Sequence, residues 1–83
     1  MTAIAPDGTA TVLSVKNTKR NSIIIRNEGS EDVFLGTDNT VTTSNGYPLK
    51  KDEELRFDDC YSPFWGITSG SAGDVRVLEV TAP

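Results

Sequence analysis

The sequence predicts an all-β fold, a small antiparallel β-sandwich or jelly roll of about six to seven strands. Short runs rich in β-branched and aromatic residues recur at roughly ten-residue spacing, and turn-forming residues separate them. No segment places apolar residues at helical spacing over two or three turns. The 83 residues make one domain, because chains divide into domains only when they are much longer.

The first strand is predicted over Thr9–Lys16 (TATVLSVK), and a polar connector follows over Asn17–Asn21. Residues 1–8 (MTAIAPDG) precede that strand. They form either an arm that orders on a partner or a frayed terminus. The sandwich domain itself is expected to span residues 9–83.

A second and a third strand are predicted over Ser22–Arg26 and Glu31–Gly36. Three isoleucines make the second strand poor in helix propensity and well suited to a sheet. Asn27–Ser30 (NEGS) lies between the two strands and contains residues that tolerate positive φ. A hairpin turn is therefore expected there.

Both strands contain an apolar triplet, Ile23–Ile25 (III) and Val33–Leu35 (VFL). Since neighbouring side chains on a strand point to opposite faces, each triplet places apolar groups on both faces of its sheet. One face fills the core, and two interpretations remain for the other. Its side chains cap an edge or pack under a loop, or they are buried against another subunit.

The middle of the chain is more polar. Thr37–Gly46 (TDNTVTTSNG) is a long loop, or it carries one weak strand around Val41. Tyr47–Leu49 begins an extended segment, because a residue before proline avoids helical angles. A charged turn over Lys50–Glu54 then leads into a strand at Leu55–Phe57.

The last two strands are predicted over Phe64–Thr68 and Val75–Val80. Ser69–Gly73 (SGSAG) separates them and is rich in glycine. A hairpin is expected at this segment. The imperfect alternation of the final strand indicates cover on both of its faces.

Composition excludes several classes of function. The net charge is −4, whereas nucleic-acid binders carry clustered positive charge, so no nucleic-acid partner is expected. No apolar run is long enough to span a membrane, and the first ten residues do not resemble a secretory signal. The single cysteine fits synthesis in a reducing cytoplasm. With no disulfide and no histidine, a partner subunit is the expected source of further burial.

No catalytic residue, metal site or cofactor is predicted. Cys60 has no histidine to activate it and two acidic neighbours that disfavour its thiolate. Adjacent carboxylates such as Asp58 and Asp59 point to opposite faces of a strand and cannot flank one scissile bond. Asp38 and Asn39 add oxygen donors in a loop. However, their spacing matches no calcium-binding loop.

The aromatic segment CYSPFWGI (60–67) has two interpretations. In the first, Phe64 and Trp65 straddle one strand, so that one ring is in the core and the other covers a sheet edge. In the second, the rings form a contact patch for a subunit or a sugar, because large aromatic side chains suit such surfaces. The candidate partner-contact residues are Ile24, Phe34, Tyr61, Phe64 and Trp65.

Six short motifs follow one another along the chain. They are Ser22–Asn27 (SIIIRN), Gly29–Gly36 (GSEDVFLG), Val41–Thr43 (VTT), Gly46–Leu49 (GYPL), Asp52–Leu55 (DEEL) and Asp74–Glu79 (DVRVLE). Their order resembles that of small proteins in the structural gene clusters of tailed bacteriophages, over about residues 20–80. Each motif alone is weak. Asp52 stands where the group usually has glycine, so that turn is expected to be built differently.

The resemblance implies a non-enzymatic virion protein of β-sandwich type, such as a capsid decoration or cement protein. Its expected partner is the major capsid protein or another virion protein, and a homo-oligomer is expected, with a trimer as the guess. The acidic charge favours the outer surface of the particle over its DNA-lined interior. The alternative is a carbohydrate- or receptor-binding module of a phage tail or fibre, with Trp65 and Tyr61 as the stacking surface.

Overall fold

The computed structural model describes residues 2–81, so the predicted limits at residues 1 and 83 lie outside the described residues. Eight strands are present: β1 (Thr2–Ile4), β2 (Thr11–Ser14), β3 (Arg20–Asn27), β4 (Val33–Gly36), β5 (Tyr47–Leu49), β6 (Glu54–Asp58), β7 (Phe64–Ile67) and β8 (Val75–Thr81). Within this part of the chain there is no helix, and therefore none that could cross a membrane.

The strands form two antiparallel four-stranded sheets. Sheet A has the order β1-β8-β3-β6, and sheet B has the order β2-β7-β4-β5. The pairs are nested: β4 pairs with β5, β3 with β6, β2 with β7 and β1 with β8. This arrangement is a jelly roll. The all-β prediction is confirmed, with eight strands in place of six or seven.

Consecutive strands alternate between the sheets, and β4–β5 is the one connection that stays within a sheet. The hairpins predicted at Asn27–Ser30 and Ser69–Gly73 are therefore wrong, because both segments cross from one sheet to the other. The two crossings pack on each other: the Glu28 amide donates to the Asp74 carbonyl at 2.8 Å. A Cβ on Gly29 would lie 2.9 Å from the Asp74 nitrogen, so this contact requires glycine.

The segment 2–8 lies against the domain. β1 pairs with β8, with Thr2 opposite Val77. Pro6 is buried, and its carbonyl accepts a hydrogen bond from the Gly73 amide at 2.7 Å. These contacts attach the beginning of the described chain to the β7–β8 connection.

The core lies between the two sheets. It consists of Leu13, Ile23, Ile25, Val33, Leu35, Leu49, Phe64, Val75 and Val77. In both apolar triplets the outer members point inward: Ile23, Ile25 and Val33 are 0% exposed and Leu35 is 7% exposed. The middle members, Ile24 and Phe34, lie on the outer faces of their sheets and are half-buried.

One end of the sandwich is held by the side chain of Arg20, which is 0% exposed. A guanidinium carries five N–H donors, and every donating nitrogen here has an acceptor within 3.0 Å. The acceptors are Glu79 Oε2, the carbonyls of Cys60 and Ser62, Ser14 Oγ and the Val15 carbonyl. These partners belong to both sheets and to the β2–β3 and β6–β7 connections, so one cation joins them.

The opposite end is held by Asn27, which is also 0% exposed. Its Nδ2 donates to the carbonyls of Glu31 and Leu49, both at 2.8 Å, and its Oδ1 accepts from the Gly29 amide at 2.9 Å. The Asn27 carbonyl accepts from the Asp52 amide at 2.9 Å. Strand β3 therefore begins and finishes with a buried polar side chain, Arg20 at one end of the sandwich and Asn27 at the other.

Asp52 has a φ of 65°. This left-handed conformation favours glycine, and among other residues aspartate and asparagine tolerate it best. The turn therefore keeps the backbone conformation that glycine would supply and does so with an aspartate.

Glu79 lies beside the Arg20 guanidinium, and 29% of its side chain is exposed. Burial alone raises the pKa of this carboxyl. Hydrogen bonds from Ser14, Arg20 and Asn17 together outweigh burial, so the pKa lies below its ordinary value. Glu79 is therefore held in its ionised form, which is the form that Arg20 requires.

We expect Arg20→Met to lower the free energy of unfolding by about 3–5 kcal/mol, because the change leaves buried acceptors and the Glu79 carboxylate without their donor. Urea denaturation measures the loss. The matched control is Arg56→Met, since the side chain of Arg56 is 62% exposed, and that change should cost less than about 0.5 kcal/mol. Equal losses for the two variants would contradict the role given to Arg20.

Replacing Asp52 tests the left-handed turn. Asp52→Ala should lower the free energy of unfolding by about 1 kcal/mol, whereas Asp52→Gly should leave it unchanged or raise it. Lys51→Gly is the control in the same turn. It should be destabilising, because Lys51 does not have positive φ and glycine adds only unfolded-state entropy there. Thermal unfolding followed by circular dichroism measures the stability of the three variants.

The pH dependence of stability should report Glu79. Its pKa is lower in the folded chain, so the ionised carboxyl stabilises the fold above an unfolded pKa of about 4.3, and the stabilisation is lost as pH falls through the folded-state pKa. We expect the stability difference between the natural chain and Glu79→Gln to be largest at neutral pH and to shrink below about pH 4. Urea denaturation across this range measures it, with Glu28→Gln as the exposed control. A constant difference would count against this assignment.

Candidate functional site

The five predicted contact residues lie in different parts of the molecule. Ile24 is on the outer face of sheet A, whereas Phe34 and Trp65 are on the outer face of sheet B. Tyr61 is in the β6–β7 connection and is 46% exposed. Phe64 is in the core and only 6% exposed. Phe64 and Trp65 thus straddle β7, as in the first of the two interpretations. However, Trp65 lies on the outer face of a central strand and does not cover a sheet edge.

The outer face of sheet A has an apolar centre. Ile24 is paired in register with Leu78 of β8, and Leu78 and Val80 are 38% and 45% exposed. Polar side chains surround this centre, a distribution that is typical of protein–protein interfaces. We call Ile24, Leu78 and Val80 the A patch.

Three arginines surround the A patch, and each donates to a carboxylate two residues away. The pairs are Arg26 with Glu28 at 2.9 Å, Arg56 with Asp58 at 3.2 Å and Arg76 with Asp74 at 3.0 Å. The hydrogen bond from Arg76 lowers the pKa of Asp74. Each arginine on this face therefore has a nearby carboxylate, and the border of the A patch carries both positive and negative charges.

The outer face of sheet B is more apolar. The register places Val12 beside Trp65, and Phe34 between Ile67 and Pro48. Val12 is 40% exposed, and Phe34, Trp65 and Ile67 are half-buried. No charged residue occupies these register positions. We call these five residues the B patch.

The loop 37–46 covers part of the B patch. Val41 is 5% exposed although it lies outside the core cluster. Alternation along β4 places Gly36 on the outer face, and a Cβ there would lie 2.7 Å from the Val41 Cβ. Gly36 pairs in register with Trp65. The valine therefore sits on the sheet where a side chain is absent, next to the tryptophan.

Hydrogen bonds within the loop 37–46 fix its shape. The Thr40 amide and hydroxyl both donate to the Asp38 carboxylate, and this contact lowers the pKa of Asp38. The Thr42 amide donates to Asn45 Oδ1 at 2.7 Å, and the Gly46 amide donates to the Thr42 carbonyl at 2.9 Å. The polar residues that the sequence assigns to a loop therefore form a structured cover with one apolar contact.

An apolar cleft of about 410 Å³ opens between the edge strands β5 and β6. Its lining residues are Leu35, Gly36, Thr37, Tyr47, Leu55, Phe57, Cys60, Ser62 and Phe64. The Phe57 and Phe64 rings stack within it, with centroids 5.1 Å apart. Pockets of this size and composition are typical of sites for apolar groups.

The residues considered for chemistry do not converge. Among residues 2–81, no three His, Cys, Asp or Glu side chains lie close enough together to hold a metal ion. The Asp38 carboxylate is engaged by Thr40. Cys60 is half-buried and packs against the core. The apolar cleft is the cavity best suited to an apolar group, since the side chains that line it contain no charged group.

The sequence did not predict the apolar cleft or the packing of the loop 37–46 on sheet B. Both arise where segments distant in the chain meet: β5 with β6 and the β6–β7 connection, and Val41 with Gly36. One local signal was available for the cover, because Val41 is the single large apolar residue in the polar stretch 37–46. The strand Leu55–Phe57 also showed two inward apolar positions, but nothing local indicated that they face an opening.

Comparison with protein-family models, with curated proteins and with solved structures finds no significant match to this chain.

Val41→Ser should release the cover from the B patch, because it places a hydroxyl in an apolar contact. We expect a stability loss of roughly 1–3 kcal/mol, together with a red shift and stronger acrylamide quenching of Trp65, the single tryptophan. Val15→Ser is the control, since Val15 is 67% exposed. Unchanged Trp65 emission in a folded Val41→Ser protein would show that the loop does not cover the B patch.

Proposed function

We propose that the protein is a non-enzymatic structural component of a tailed-phage virion, a decoration or cement protein that stabilises the shell through protein–protein contacts. The observation that carries the proposal is the presence of apolar side chains on the outer faces of both sheets. Leu78 and Val80 on one face and Val12 on the other are among the exposed large apolar residues. A small domain with two such faces is suited to bridging neighbours.

Fold, sequence and charge support the same proposal by different routes. Jelly rolls occur in viral capsid domains and in lectins, which is support by analogy only, since a fold hosts many functions. The ordered motifs resemble those of phage structural proteins. The net charge of −4 suits the outer surface of a particle better than its DNA-lined interior.

In this proposal the major capsid protein, or another virion protein, covers one patch, and a second copy of the chain covers the other. Each copy buries a modest apolar area, worth about 25 cal/mol per Å² removed from water before the costs of association. Repetition over the shell multiplies the contribution. A homo-oligomer follows from the same division of surfaces. We propose a trimer at a local symmetry axis, although the division of surfaces does not itself select three copies.

The alternative proposal is a carbohydrate- or receptor-binding module of a tail or fibre. Trp65 on the outer face of sheet B is the feature that favours it, because tryptophan stacks well on sugar rings. Tyr61 belongs to a connection and not to that sheet face, which reduces the support for a shared platform. Binding on a glycan array that disappears with Trp65→Ala would favour this alternative.

Co-sedimentation with phage capsids that lack the protein tests the main proposal. We expect the natural chain to pellet with capsids, and Leu78→Asp or Val12→Asp to weaken that binding at least about tenfold, because a charge replaces an apolar contact. Val15→Asp is the control, since Val15 is exposed in the β2–β3 connection and outside both patches. Absence of capsid binding, or equal binding by all variants, would contradict the proposal.

A further inference from the structure

The four edge strands of the two sheets differ in how they are protected. An exposed edge offers unpaired backbone groups to another strand, and proteins limit this with short strands, bulges, proline or charged side chains. β1 has three residues, β5 has three and contains Pro48, and β2 has a register shift between Val12 and Ser14. β6 has five residues with continuous pairing to β3 and no proline.

The free side of β6 has no backbone partner in the described chain. Its residues pair with β3 from Asp58 opposite Ser22 to Glu54 opposite Arg26. The backbone hydrogen bonds outside the sheets involve the flanking Glu53 and Asp59, and none involves residues 54–58. β6 is thus the longest edge open to strand addition among residues 2–81.

The apolar cleft lies beside this edge. Leu55 and Phe57 of β6 line it and are half-buried, while the residues between and around them are exposed. A strand added to β6 would continue sheet A over the cleft, and its inward side chains would enter the space opposite Leu35 and Tyr47. Backbone pairing with a pocket for alternate side chains is the general mode of strand addition.

The outward residues of β6 determine which strand fits. They are Glu54, Arg56 and Asp58, so the strand reads acidic, apolar, basic, apolar, acidic. In a fully paired antiparallel dimer through β6, Glu54 would face Asp58 of the second copy and Arg56 would face Arg56. Like charges directly opposite are destabilising. The charge pattern therefore disfavours a second copy in that register and fits a strand of opposite charge.

We propose that β6 and the apolar cleft accept an extended segment of a partner protein, with outward residues in the order basic, acidic, basic and with apolar residues between them. The segment pairs with β6 through its backbone. Its apolar side chains fill the cleft, and its charges meet Glu54, Arg56 and Asp58. The inference deepens the proposed function, on which it rests for the origin of the partner, because it names a surface by which a virion protein would dock.

A synthetic peptide with the sequence Ser-Lys-Val-Glu-Val-Lys-Ser is the probe, and fluorescence anisotropy measures its binding to the full chain. The charge-reversed peptide Ser-Glu-Val-Lys-Val-Glu-Ser is the first control, and a peptide with serine in place of both valines is the second. We expect the probe to bind about tenfold more tightly than either control, since three cross-strand charge pairs or two apolar contacts are lost.

Arg56→Glu gives a sharper test that does not depend on loss of folding, because the Arg56 side chain is 62% exposed. This variant should bind the probe about fivefold more weakly and should prefer a peptide with lysine at the central position. Arg76→Glu is the matched control, on the same face but on β8, and should keep the preference of the natural chain. Amide hydrogen exchange with the probe bound should slow at β6.

Several results would overturn the inference: no probe binding at millimolar concentration, equal binding of the charge-reversed peptide, no change of preference in Arg56→Glu, or slowed exchange away from β6. Slow exchange at β6 without peptide, in a protein that light scattering shows to be dimeric, would assign the edge to a second copy instead. If the peptide fails while the chain still sediments with capsids, only this inference falls. If the peptide binds and capsids do not, the proposed function falls.

Discussion

The buried guanidinium of Arg20 organises one end of the sandwich. It takes its acceptors from β2, from β8 and from the β6–β7 connection, so these segments share one cation in a place where water does not compete. Such a group is costly to bury and costly to remove. Asn27 performs the corresponding task at the other end, where its side-chain amide bonds to the backbone of the β3–β4 connection and to the Leu49 carbonyl of β5. Both residues belong to β3, a central strand of sheet A.

Because these polar groups lie at the two ends of the sandwich, the outer faces of the sheets are not needed to join the connections. The inward members of the apolar triplets are enclosed within a single copy, while Ile24 and Phe34 remain at the outer faces. The loop 37–46 supplies some cover to sheet B through Val41. The chain thus buries part of its apolar side chains within one copy. The proposed contacts would use the apolar surface that remains on both sheet faces and in the cleft.

The fold class and the positions of seven strands were predictable because period-two patterning and turn residues are local signals. Connectivity was not. Asn27–Ser30 has turn chemistry that suits a hairpin and a sheet-to-sheet crossing equally, and only packing against Asp74 distinguishes them. Arg20 was assigned to a polar connector beside Lys19, because its carboxylate partner Glu79 is 59 residues away. Thr2–Ile4 was too short to signal a strand before β8 was there to pair with it.

The nested pairing of the strands also affects how the chain can form during translation. The β4–β5 pair is adjacent in sequence, whereas β1 requires β8 and β2 requires β7. Contacts between distant segments slow folding because loop closure comes first. Most of the polypeptide therefore leaves the ribosome before either sheet is complete. Until then, the apolar residues of the early strands remain exposed to water. That interval is the stage of folding most exposed to misassembly.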